Sequence, residues 1–477
     1  MLGGREDAMT HQSIVIKGAD VFDGKRIIGP HDLVITDGTI ATLRPASDAQ
    51  LGQVEADTWV IDAKGKLLCP GFIDMHCHLR DPGQTWKEDL ETGSRAAAAG
   101  GYTTVGCMPN TEPAIDQAVI ADYILERANQ IGLCRVLPAG CISRARKGEE
   151  LADLAALYAA GVRVFSDDGS DTLRNDVFLH AFEFLSMLPS TRALVHCEAP
   201  DLATGLMHEG DVSAVLGHPG IHPLSEELGA VRALLTALHT TQPVQVTHMS
   251  SSRTVELVRW AKKRAVEKGH EKLIACDTTF NHLLLTDEAI REYGSLAKIN
   301  PPFRSEEDRQ ALLAAIADGT LDAIVTDHAP HTEDEKALEL AHAPFGCVGF
   351  EIAFGLMNRH VVGLDTAAGA VTPEHILALL TSGPAGLLSA ASTGVTPQLS
   401  PEALQDFQPR TISLSPGCIA EGKAADLVLI DPDKHWIVDP TSFHSKGRNT
   451  PFHGWEAKGQ ILLTLLEGQV SYRAGEL

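Results

Sequence analysis

From about residue 69 to residue 386, short apolar runs alternate with Ala-, Leu- and Glu-rich stretches, and this alternation predicts an α/β protein organised as a TIM-type (β/α)8 barrel. The apolar runs fall at 67–75, 103–108, 133–139, 161–166, 192–197, 243–248, 272–277 and 321–327, which is eight strands. The stretches between them, such as EELADLAALYAAG and SEELGAVRALLTALH, carry helical periodicity. A second observation concerns the two ends of the chain. Residues 12–68 contain short β segments punctuated by Asp23-Gly24 and Asp37-Gly38, a strong hairpin signal, and residues 417–477 repeat that style in GKAADLVLIDPDKHWIV and GQILLTLLEGQVSYR. Together they predict a small β-sandwich domain formed from both termini. Residues 1–11 read as a loose N-terminal leader, and the Ser/Pro/Thr/Gln-rich stretch 387–416 as a surface insertion.

Composition narrows the function. At 477 residues the chain suits one large barrel plus an accessory domain. No apolar run approaches the ~20 residues of a membrane span, so a soluble protein without membrane contact is expected. The formal charge of −24, from 39 basic and 63 acidic residues, argues against nucleic-acid and anionic-membrane partners. An anionic small-molecule substrate would then need local cations in its site. Nine cysteines, scattered mostly inside apolar runs, favour reduced thiols in a cytoplasmic protein over a disulfide framework. No glycine-rich loop has phosphate- or dinucleotide-binding spacing.

The chemistry is carried by residues at the ends of the predicted strands. The run LLCPGFID leads into His76, His78 and Arg80, and strand alternation projects all three to one side. A lone His-x-His is as often a core pair or a surface accident as a chelate, but compatible ligands recur. VRVFSDDGS supplies Asp167 and Asp168, a pair that by itself reads as a turn; LVHCE supplies His196, VTHMS supplies His248, and IVTDHAPH supplies Asp327, His328 and His331. His76, His78, Asp168, His196, His248 and Asp327 thus end five different strands, where a barrel keeps its chemistry. Imidazole nitrogen and carboxylate oxygen without thiolate suit Zn2+ in an open site, with Mn2+ or Co2+ able to replace it.

The segments GFIDMHCHLRDPG and GGYTTVGCMPNTEP closely resemble the class I dihydroorotases of the amidohydrolase superfamily. The resemblance covers nearly the whole chain apart from 1–11 and 387–416. It implies that His76, His78 and Asp327 hold one metal, that His196 and His248 hold another, and that Asp168 helps join them where many relatives use a carboxylated lysine. Two Zn2+ per subunit are implied, although some relatives work with one. It further implies that Arg80, Asn110 and His331 cradle a substrate carboxylate, that Asn300 and the Phe345-Gly346 backbone contact the substrate ring, and that His78 borders the same substrate. Asp327 is implied as the catalytic acid/base as well as a ligand. The family usually has adjacent histidines before LLLT, whereas this chain has Asn281 before His282. The polar start of 331–349 reads either as a closing lid or as a plain surface loop.

The activity implied is reversible, metal-dependent hydrolysis of the cyclic amide of (S)-dihydroorotate to N-carbamoyl-L-aspartate, in pyrimidine biosynthesis. Two rival readings stand beside it: another cyclic amidase, a hydantoinase or allantoinase, and a non-catalytic scaffold for aspartate transcarbamoylase. The absent lysine and the present Arg80 count against the first, and the complete set of six ligand-type residues against the second. A homodimer and an aspartate transcarbamoylase partner both lie within what the resemblance implies.

Overall fold

The structure is a computed structural model that describes residues 13–47, 58–170, 174–389 and 410–475. Eight parallel strands form the barrel: β1 (Phe72–Cys77), β2 (Tyr102–Cys107), β3 (Arg135–Gly140), β4 (Val164–Phe165), β5 (Arg192–Val195), β6 (Val244–Val246), β7 (Ile274–Thr279) and β8 (Ala323–Val325). They are hydrogen-bonded in chain order. The barrel closes where Cys77 pairs in parallel with His328 and where the His78 and Asp327 amides donate to His328 O and His76 O, at 2.8 and 3.1 Å. All six residues of β1 are buried, as expected for strands covered on both faces.

Inside the barrel, Ile73, Met75, Met108, Ala139, Leu194 and Val325 form an apolar plug beneath the site. On the outside, Phe72, Tyr102 and Phe165 join the large core between strands and helices. A register shift in the β1–β2 ladder between Asp74 and Cys77 accommodates the change of face that brings His76 into the mouth while Met75 stays in the plug. The helix that follows β1 starts at a capping box, Asp89 accepting from the amides of Glu91 and Thr92, and ends against Gly100. A Cβ at Gly100 would lie 2.1 Å from Phe350 O, so only glycine fits there.

The two ends of the chain build one mixed sheet. Its order is Gln469–Arg473, Glu456–Leu466, Leu427–Ile437, Leu67–Pro70, Ser13–Phe22, Ile27–Thr36 and Thr39–Pro45, with Thr58–Asp62 paired to the first half of Ser13–Phe22. Gly18, at φ 68°, sits in the bulge where that strand changes partners from Thr58–Asp62 to Leu67–Pro70. The sheet encloses its own cluster, including Ile16, Val21, Leu33, Leu68, Leu427 and Leu463.

One strand is divided differently from the sequence expectation. The run 67–75 is two strands: Leu67–Pro70 pairs with Leu427–Ile430 of the terminal sheet, and β1 begins after Gly71. Gly71 donates to Asp426 O at 2.8 Å, and a Cβ there would lie 2.3 Å from the Thr103 side chain, so the chain passes between the two sheets at its narrowest residue. The leader 1–11 and the central part of the insertion, 390–409, lie outside the described residues. Among the described residues no helix is long and apolar enough to cross a membrane. None of the nine cysteines is in a disulfide, and eight of them are buried.

Candidate metal centre and substrate pocket

Six ligand-type side chains converge at the C-terminal mouth of the barrel. His76 is the penultimate residue of β1 and His78 follows its end; Asp168, His196, His248 and Asp327 stand one to three residues beyond β4, β5, β6 and β8. Asp168 belongs to two groups able to hold a cation, one with His76 and His78, the other with His196 and His248. Its Oδ1 lies 3.3 Å from His76 Nε2, 3.3 Å from His248 Nε2 and 3.7 Å from His196 Nδ1, while Oδ2 lies 3.6 Å from His78 Nε2. Asp327 Oδ1 adds contacts of 2.9 Å to His78 Nε2 and 3.7 Å to His76 Nε2. His196 Nδ1 and His248 Nε2 are 3.1 Å apart.

The surrounding hydrogen bonds decide which imidazole nitrogens face the centre. Thr247 donates its hydroxyl to Asp277 at 3.1 Å, so its oxygen accepts from His76 Nδ1–H at 3.0 Å. Asn110 Oδ1 accepts from His78 Nδ1–H at 2.8 Å. With both Nδ1 protons engaged, the two Nε2 lone pairs point at carboxylate oxygens, an arrangement that is repulsive unless a cation lies between them. His76 Nε2 is buried without a hydrogen bond of good geometry. Electrostatics says the same: burial pulls the His76 pKa down, but Asp168, Asp327 and Asp277 overcome it and push it up to about 10. Burial raises the pKa of Asp168 and Asp327 too, yet the facing histidines hold both below the usual carboxylate range. The site therefore stabilises positive charge among these six residues, and the residues fit a metal.

Two buried carboxylates that the sequence reading passed over hold the ligand-type residues in place. Asp74 accepts from the amides of His76 and Thr326 at 3.1 and 3.2 Å and from the Thr326 hydroxyl, tying β1 to β8; burial leaves its pKa raised to about 7. Asp277 accepts from the His248 amide at 2.6 Å as well as from Thr247. Replacing Thr247 by valine removes the acceptor for His76 Nδ1–H; metal affinity should fall about 10- to 100-fold by chelator competition, the usual cost of losing a partner behind a ligand.

Beside this centre lies a cavity of ≈190 Å³ lined by five of the six, His78, Asp168, His196, His248 and Asp327, and by Arg80, Asn110, Gly169, Asn300, Ala329, His331, Phe345 and Gly346. Among the described residues a larger cavity, of ≈1150 Å³, lies between the terminal sheet and the outer helices and contains none of the site residues. Arg80 does not reach the pocket by strand alternation, because β1 ends at Cys77. A left-handed residue conformation, φ 60°, turns it in, with Nε donating to Pro330 O at 3.3 Å and Nη2 3.3 Å from His331 Nε2. His248 and Asp327 also have positive φ, 40° and 47°. Three site residues thus hold backbone conformations that cost of order 1–3 kcal/mol each, which the surrounding packing must impose.

Burial, together with the charges of Arg80, Lys87 and Lys336, pushes the His331 pKa down to about 3, so it is neutral at physiological pH. Asn300 gives its Nδ2 to Glu198 at 3.0 Å, and its Oδ1 is buried without a hydrogen-bond partner. The Gly346 amide donates to Lys298 O and the Gly346 carbonyl accepts from Lys336 Nζ and Asn449 Nδ2, so the protein itself already uses both polar groups of that peptide position. Segment 331–349 contains one short helix, Glu333–Lys336, and is fastened down by the buried Lys336, whose ammonium donates to Pro344 O at 3.0 Å and Gly346 O at 2.9 Å, and by Lys298, which donates to Leu340 O and Ala343 O. Asn449, from the C-terminal part of the chain, accepts from the His331 amide and donates to Ala329 O. His282 is bonded to Thr279 and Pro301 O outside this cavity, and Asn281 to Thr326 O.

A family profile described as dihydro-orotase-like matches residues 65–253. A dihydroorotase of Syntrophus aciditrophicus is 37% identical over 462 residues, covering 96% of this chain and 99% of that protein. One from Pelotomaculum thermopropionicum is 40% identical over 461 residues, covering 96% and 98%. The chain belongs to the dihydroorotase family. The same barrel and terminal sheet recur in a solved L-hydantoinase (dihydropyrimidinase) from Arthrobacter aurescens, with a TM-score of 0.78 over 97% of each chain. At 22% identity that likeness speaks for the fold alone. The chain is accordingly a metal-dependent cyclic amide hydrolase, and among the described residues His76, His78, Asp168, His196 and His248 form the groups that could hold a metal, with Asp327 against His78 and His76.

Proposed function

We propose that this member of the dihydroorotase family interconverts (S)-dihydroorotate and N-carbamoyl-L-aspartate, with His76, His78 and Asp327 holding one Zn2+, His196 and His248 a second, and Asp168 shared between them. The observation that carries this reading is Arg80: a buried guanidinium opening onto the same cavity as the ligand cluster, beside Asn110 and a neutral His331. Hydantoin and allantoin carry no ring carboxylate to place against it. When bound, the metal ions supply an acidified water and a Lewis acid for the amide carbonyl. The chain's own residues do the rest. Arg80 takes the substrate carboxylate with charge-assisted hydrogen bonds, a grip that suits a planar guanidinium. Asn300 Oδ1 accepts a ring N–H. Asp327 Oδ1, 2.9 Å from His78 Nε2 and facing the cavity, takes a proton from the attacking water and passes it to the leaving ring nitrogen.

Ring opening creates a new carboxylate and releases a proton. The equilibrium should shift toward N-carbamoyl-aspartate as pH rises and toward the ring as it falls; an equilibrium indifferent to pH would overturn the reaction. The direct test is turnover of dihydroorotate, hydantoin and allantoin by zinc-loaded protein. Activity confined to dihydroorotate is expected, and hydantoin turnover would return the choice to the neighbouring amidases. A scaffold role predicts bound metal without turnover. A homodimer and an aspartate transcarbamoylase partner belong to the same reading and rest on the family alone; light scattering of the chain with and without that enzyme tests both. A cytoplasmic location is supported by nine cysteines that form no disulfide.

A further inference from the structure

We propose that Glu198 is a positioning residue that sets, with one carboxylate, both the orientation of the Asn300 amide toward the substrate and the tautomer of His196 toward the metal. Glu198 stands two residues past His196 in LVHCE, beyond the end of β5, and is mostly buried between the two side chains it would control. Its Oε1 lies 3.0 Å from Asn300 Nδ2 and its Oε2 lies 3.6 Å from His196 Nε2.

A carboxylate accepts and does not donate. Turning the Asn300 amide over would set Oδ1 against Oε1, two acceptors at the same 3.0 Å, so Glu198 leaves only the orientation with Oδ1 directed elsewhere. That oxygen is buried and has no hydrogen-bond partner among the described residues, while the residue lines the substrate cavity. A desolvated acceptor without a donor is a cost that a ligand N–H removes. His196 Nε2 faces both Asn300 Nδ2, at 3.5 Å, and the Glu198 carboxylate, at 3.6 Å; the negative charge of the carboxylate favours the His196 proton on Nε2, leaving the Nδ1 lone pair for the side that holds Asp168, 3.7 Å away, and His248. Specificity for a ring N–H and readiness for metal are then set by a single side chain.

The substrate half of this inference rests on the reading above; the metal half does not. The experiment is a double-mutant cycle of Glu198→Gln and Asn300→Ala in zinc-loaded protein, read by KM for dihydroorotate and by zinc affinity in chelator competition. Glutamine keeps the shape but can also donate, so either amide orientation becomes acceptable. In the Asn300 background Glu198→Gln should raise KM about 10-fold or more, and in the Asn300→Ala background less than about twofold. Zinc affinity should fall about 10-fold with Glu198→Gln and stay unchanged with Asn300→Ala. Glu198→Asp, which retains an acceptor-only group, should lie closer to the parent protein than Glu198→Gln does in both readouts. Equal KM penalties in the two backgrounds, or Glu198→Asp as impaired as Glu198→Gln, would overturn the proposal. If the parent protein left dihydroorotate untouched, the functional reading would fall, and the zinc comparison would still decide the role of Glu198 toward His196.

Discussion

Replacing Asp327 by asparagine should lower kcat by about 10²–10⁴-fold while a substantial part of the bound metal remains. The range is what a positioned proton-transfer group contributes. Asparagine keeps an oxygen at the place of Oδ1, 2.9 Å from His78 Nε2, and the two histidines with Asp168 stay able to hold a cation. What it loses is the capacity to take up a proton. The native carboxylate is held below the usual range because His78, His76 and His248 outweigh its burial, so it is ionised and ready to accept across the neutral range. Kinetics with metal analysis on the same sample checks this. An Asp327→Asn protein with near-normal kcat would move the proton transfer to another group.

The second large effect is on substrate binding. Arg80→Ala should raise KM for dihydroorotate by roughly 30- to 3,000-fold, the equivalent of about 2–5 kcal/mol for losing one partner of a buried charged contact. Metal content should not change, because Arg80 contacts Pro330 O and His331 and none of the six ligands. His331 cannot replace the lost charge, since burial and its cationic neighbours keep it neutral down to a pH of about 3. Loss of metal in this variant would show that the division between ligands and substrate residues is misplaced.

How much of this was legible in the sequence depends on the kind of constraint. The barrel strands were readable because strands buried on both faces are continuous apolar runs, and the convergence of the ligand-type residues was readable because each stands at or just past the end of such a run. The division of 67–75 was not, since LLCPGFID is apolar on both sides of Gly71, and only a neighbouring Thr103 and the Asp426 carbonyl make that glycine the crossing point. Asp74 and Asp277 are single polar residues inside apolar runs and carry no motif; their value lies in backbone amides that the fold alone brings to them. The access of Arg80 to the pocket depends on a left-handed backbone, which no residue pattern announces at a non-glycine position.

Asn449 gives the architecture a consequence of its own. Every proposed metal ligand lies between residues 76 and 327, within the barrel, but the peptide corner formed by Ala329, His331 and Gly346 is gripped by a side chain from the far C-terminal part of the chain. One wall of the substrate pocket is therefore held by a stretch of sequence that supplies none of the proposed metal ligands. A lineage that altered only the loop around residue 449 could drift toward another cyclic amide while its metal chemistry stayed intact, and the accessory sheet is in that sense an adjustable part of the enzyme rather than a stand for it.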